Sequence, residues 1–138
     1  VKGGALTAAL VALLVTGALA QQPAPDEAIE RGVGAFAATV RRGSLADVTR
    51  KIQECWEQLA HAPRDLQGAF YCAAFHFAAE EFDKRASSTF GAGQTISIND
   101  ARVNARRALS AAGISPTSAA GIIELVRERS IAATSRHF

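Results

Sequence analysis

The sequence predicts an all-α fold: a small bundle of about five helices, tied by one helix–helix disulfide after removal of an N-terminal signal peptide. Three observations lead there. Apolar residues recur at helical spacing through most of the chain, hydroxyl, glycine and proline residues punctuate the runs where helices should start and stop, and the only two cysteines fall at matching positions on neighbouring runs. The one alternating stretch, Thr95-Ile96-Ser97-Ile98, is too short to argue for a strand.

Residues 1–20 read as a cleavable export signal. Lys2 supplies a positive charge, residues 5–19 are uncharged and rich in Ala, Leu and Val, and Ala18-Leu19-Ala20 is a small-x-small cleavage site. The apolar run falls short of the ~20 residues that a spanning helix needs, so no stable membrane span is expected after cleavage. Residues 21–25 form an extended lead-in, and residues 26–138 a single helical domain.

The first helix, over residues 26–42, places Ile29, Val33, Phe36 and Val40 on one face. Gly32 and Gly34 weaken it by roughly 1 kcal/mol each relative to Ala. Ser44-Leu45-Ala46-Asp47 opens the second as a capping box, with Ile52, Cys55, Trp56 and Leu59 inward. It ends near His61, because Pro63 disfavours a helical conformation at Ala62. The third, from Pro63 or Arg64 to Arg85, carries two apolar stripes: Leu66, Phe70, Ala73 and Phe77, then Gly68, Cys72, Phe75, Ala79 and Phe82. Two stripes mark the central element of a bundle.

Residues 86–95 read as a loop. Ser97-Ile98-Asn99-Asp100 opens the fourth helix and Gly113 stops it; Ser115-Pro116 opens the fifth, which runs to about residue 133.

Cys55 and Cys72 each lie about nine residues from the turn at Ala62-Pro63-Arg64, roughly 13 Å along a helix. In an antiparallel hairpin they sit at equal height on facing apolar sides. An oxidising compartment closes such a pair, so a Cys55–Cys72 disulfide is expected.

Fifteen Lys and Arg against 13 Asp and Glu leave little net charge, which argues against nucleic acid. His76 and Glu80, at i, i+4, are the candidate pair for metal or acid–base chemistry, with Glu81 and Asp83 nearby. Two ligands do not make a zinc site, and the charged end of an apolar helix ordinarily faces solvent. No metal, no cofactor and no catalysis are expected. Arg102, Arg106 and Arg107 crowd the fourth helix. Phe90, in the flexible loop, with Arg102 and Arg106 beside it forms the candidate partner contact, an aromatic flanked by bidentate donors. The alternative is a Phe90 folded back over the end of the bundle.

Cys55 and the run Cys72-Ala73-Ala74-Phe75-His76-Phe77-Ala78, with the leader and the short helical domain, resemble the small periplasmic immunity proteins of the Rap and Tai type. The likeness spans residues 44–133. It implies an exported, non-catalytic protein that binds a protein partner in the periplasm, as an inhibitor of a cell-wall amidase toxin. Ala74 and Ala78 stand where that family usually has Gly, and its further cysteines are absent, so no toxin-contacting residue is carried over. Two other roles fit the composition: an envelope-stress protein or chaperone, and a metal-binding protein or enzyme using His76 and Glu80.

The leader reading predicts cleavage between Ala20 and Gln21. Intact mass of the exported protein checks it, and a mature form that retains residues 5–19 would show an anchor instead.

Overall fold

The computed structural model describes residues 25–91, 93, 95–96 and 100–138. The expected leader, most of the lead-in and the Ser97 capping box lie outside the described residues. Five α-helices follow one another: α1 Pro25–Arg42, α2 Leu45–Ala60, α3 Leu66–Phe90, α4 Asp100–Ala111 and α5 Pro116–Ser135. There is no strand among the described residues, and no helix there is long and apolar enough to cross a membrane.

The architecture is a ring around a rod. α3 packs against every other helix, and around it α1 touches α2, α2 touches α4, α4 touches α5, and α5 returns to α1. Every residue of α3 from Cys72 to Glu80 is buried, which is what a helix enclosed on all sides requires. The ring is tightest where α5 meets α1 and α4, looser between α1 and α2, and loosest between α2 and α4.

Phe36 of α1 is the centre of the core. Its ring meets Phe75 and Phe82 of α3 edge to face, with centroids 5.8 and 5.7 Å apart, and Phe138 closes over them at 6.0 Å. α1 lies unusually close to α3 because Gly32 has no side chain. A Cβ there would stand 2.5 Å from the Tyr71 carbonyl oxygen and 3.0 Å from the Ala74 Cβ. The glycine that weakens α1 by itself is what lets it seat. On α5, the buried hydroxyls of Ser130 and Thr134 donate back to the carbonyls of Val126 and Ser130, so neither leaves a polar atom unsatisfied. Arg129–Asp26 and Arg136–Glu30 pairs link the last helix to the first.

The Cys55–Cys72 disulfide ties α2 to α3 with Cα atoms 5.7 Å apart. A closure of this size is worth ~3 kcal/mol in the chain-entropy treatment. Ser44 and Asp47 form the expected capping box, and the bond from the Ser44 backbone holds the Asp47 carboxyl below its ordinary range.

Two boundaries differ from expectation. α3 starts at Leu66, later than Pro63 or Arg64, because Asp65 caps it by accepting from the Gly68 N–H at 2.9 Å. It also continues to Phe90, beyond Arg85: Ser88 and Thr89 fold their hydroxyls onto the Arg85 carbonyl and stay helical. The first residue to leave the helix is Gly91, whose φ of 69° is left-handed.

The same substitution at two glycines of α1 should have opposite signs. Gly34 has nothing within 4 Å of an added Cβ, so Gly34→Ala should stabilise by up to ~1 kcal/mol through helix propensity. Gly32→Ala forces two backbones apart and should cost about 1–3 kcal/mol. Urea denaturation of both variants checks this, and a stabilised Gly32→Ala would refute the close seating.

Candidate functional site

A third stripe runs along α3 beside the two apolar ones. Ala69, Ala73, His76, Glu80 and Asp83 follow at alternating spacings of four and three, and all are buried. His76, Glu80 and Asp83 keep only 3, 7 and 4 % exposure. The expectation of a solvated charged end is therefore wrong at Glu80 and Asp83: α4 and the connection to it cover this side of α3.

Each acid has a backbone task. Glu80 Oε1 accepts from the Ala101 N–H at 2.9 Å, one of the first-turn donors of α4 that have no partner within the helix. Asp83 Oδ2 accepts from the N–H groups of Thr95 and Ile96 at 2.8 and 2.7 Å. The two acids thus hold the start of α4 and the connection onto α3. His76 is engaged from α2: the Trp56 indole N–H donates to its Nδ1 at 3.1 Å. With Nδ1 accepting, the neutral ring carries its proton on Nε2, which lies 3.7 Å from Glu80 Oε1.

Burial raises the Glu80 carboxyl to about 7, with the Ala101 bond opposing, Asp100 adding to the rise, and Arg102 and Arg127 opposing it. Burial lowers His76 to about 4, against the pull of Asp100. Near neutral pH the histidine is uncharged. Its two ring nitrogens face Trp56 and Glu80, and the hollow beside Glu80, lined also by Arg102 and Arg127, measures only about 50 Å³. The pair is arranged to position α2 and α4 on α3. Among the described residues no group of three His, Cys, Asp or Glu is placed to hold a metal ion.

The candidate contact residues lie apart in their bonding. Phe90 ends α3 at 82 % exposure and does not fold back over the bundle. Arg102 turns to α5, where Glu124 takes its guanidinium at 2.8 Å. Arg106 is exposed, and no cation–ring contact joins either arginine to Phe90 among the described residues.

A larger opening lies elsewhere, at the loose seam between α2 and α4. Two adjoining hollows of about 410 and 340 Å³ share Trp56, Glu57 and Asn104. The first extends over Leu59, Ala69 and Ala108 toward the α2–α3 turn; the second extends over Ile52, His76 and Ile96 toward the connection. Together they form one groove with Trp56 at its middle. Glu57 edges it from α2 and Arg107 from α4; both are exposed, and neither forms an ion pair or side-chain hydrogen bond among the described residues. The sequence placed Trp56 on the inner face of its helix and missed that α4 covers that face only in part.

No protein-family model, curated protein or solved structure matches the chain.

His76 and Glu80 should make opposite contributions to stability against pH. Glu80 rises from 4.5 to about 7 on folding, so its contribution is complete below about 4.5 and is lost as pH climbs through 7. His76 falls from 6.5 to about 4, so its contribution is complete above 6.5 and is lost as pH drops through 4. Between pH 4.5 and 6.5 the two slopes offset each other in the native chain. Relative to it, Glu80→Gln should gain stability with rising pH across that window, and His76→Gln should lose it. Urea titrations at the two ends of the window check this; parallel slopes in all three proteins would disprove it.

Proposed function

We propose that this chain is an exported, non-catalytic helical protein that binds another protein in the periplasm, in the manner of an immunity-type inhibitor of a cell-wall amidase toxin. The observation that carries the reading is the Cys55–Cys72 disulfide between α2 and α3. Structural disulfides persist in oxidising compartments and are rare where thiols are kept reduced. The signal-like residues 1–20 support the same placement, and the run from Cys72 to Ala78 supports the immunity-type assignment.

Non-catalysis is supported by the state of the most reactive pair. His76 and Glu80 are spent on Trp56 and on the start of α4. A second reading, an enzyme using those two residues, draws on the Glu80 carboxyl being held near 7. It would need a path for substrate to a group that is 7 % exposed. Phe90, Arg102 and Arg106 remain candidate contacts, Phe90 because a large apolar ring at 82 % exposure has no role in the core.

Immobilised chain should capture a partner from envelope extract, and added chain should inhibit a captured amidase acting on peptidoglycan. Phe90→Ala should shift stability by no more than ~0.5 kcal/mol and should weaken capture. An amidase rate unchanged at saturating chain would remove the inhibitor assignment. Turnover of peptidoglycan by the chain itself would remove the non-catalytic one.

A further inference from the structure

The groove between α2 and α4 has the build of a receptor for a helix. Along α2 it runs from Thr49 to Ala60, about three helical turns or roughly 17 Å at 1.5 Å per residue. Its floor is apolar, with Ile52, Leu59, Ala69 and Ala108 beneath. Trp56 projects at the middle, and its bond to the buried His76 fixes the ring before anything binds. A large aromatic already held in place costs little entropy when covered, which is the character of a binding hot spot.

The rims name the occupant. Toward the α2–α3 turn, Glu57 on the α2 side and Arg107 on the α4 side face the same hollow with opposite charges, and neither forms an ion pair among the described residues; Asp65 also lines that hollow, and toward the connection the α4 side carries Asp100. A complementary ligand sets cations against Glu57 and toward Asp100, and an anion beside Arg107. There is no sheet edge among the described residues for an extended backbone to join. A helix satisfies its own backbone and lays one apolar row into such a floor.

We propose that the α2–α4 groove docks an amphipathic helix of a partner protein. Its apolar i, i+3, i+7 row covers Trp56 and Leu59, with a basic edge along Glu57 and an acidic edge along Arg107. The inference rests on the protein-binding reading above and gives that reading a surface and a partner chemistry.

Trp56 is the only tryptophan of the chain, so its emission reports occupancy directly. The probe is a synthetic helical peptide of about 14 residues, roughly 21 Å long, with a Leu row, Lys along one edge and Glu along the other. Saturable change in Trp56 emission is expected. Glu57→Arg and Arg107→Glu should each weaken binding roughly tenfold, equivalent to about 1.4 kcal/mol, with melting unchanged because both side chains are exposed. The double exchange should restore binding, since a helix turned end for end presents its edges in the reverse order. The proposal is overturned by an absence of saturable change, by affinities indifferent to the two variants, or by equal binding of a proline-broken peptide. It is also overturned if emission follows chain concentration alone as dimer forms, which would assign the groove to a second copy. If the charge variants capture the envelope partner unchanged, the groove assignment fails while the protein-binding reading stands.

Discussion

The enclosure of α3 is the constraint from which the rest of this structure follows. A helix surrounded on every side cannot hand its polar atoms to water, and leaving one buried and unpaired costs on the order of 1–3 kcal/mol. α3 carries three polar side chains into that enclosure, His76, Glu80 and Asp83. Each is answered by a different piece of the chain: α2 through Trp56, α4 through the Ala101 N–H, and the connection through Thr95 and Ile96. The polar residues are therefore the addresses at which the outer elements attach. The apolar residues between them supply the driving force but little direction, since burial of hydrocarbon is indifferent to register.

The enclosure is uneven, and the unevenness has a cause in α2. That helix fully buries only Val48, Ile52 and Leu59. To those three side chains its hold on α3 adds one covalent bond and one indole hydrogen bond. α1, by contrast, sinks onto α3 at Gly32 and locks Phe36 among three other rings. Both seams that α2 makes with the outer helices are slack: a hollow of about 200 Å³ opens toward α1 over Ala35, Lys51 and Gln58, and the larger groove opens toward α4.

Much of this was readable from residue order alone. The cysteine pairing followed from equal distances to a turn, and the helices followed from apolar spacing and from Ser44, Pro63 and Ser115-Pro116. The buried acids were readable too: Ala69, Ala73, His76, Glu80 and Asp83 continue one helical row, and a polar residue on an otherwise small and apolar row belongs inside. Treating Glu80 and Asp83 as the start of a wet surface ignored that row. Other features were closed to sequence reasoning. The Trp56–His76 bond depends on how two helices cross, and the groove depends on which of four seams is slackest. The late end of α3 turned on hydroxyls bonding to Arg85 in place of water, a choice that local propensity leaves open.

The seam between α1 and α5 joins the first described helix to the last. Asp26 and Glu30 take their partners from Arg129 and Arg136, more than a hundred residues further on. A chain emerging from its N-terminal end must therefore hold α1 through α4 with one flank of α3 uncovered until the final helix arrives. The apolar faces of Ala119, Ile123 and Val126 complete that flank. Folding of the domain is in this sense all or nothing with respect to synthesis: no N-terminal fragment contains a closed core.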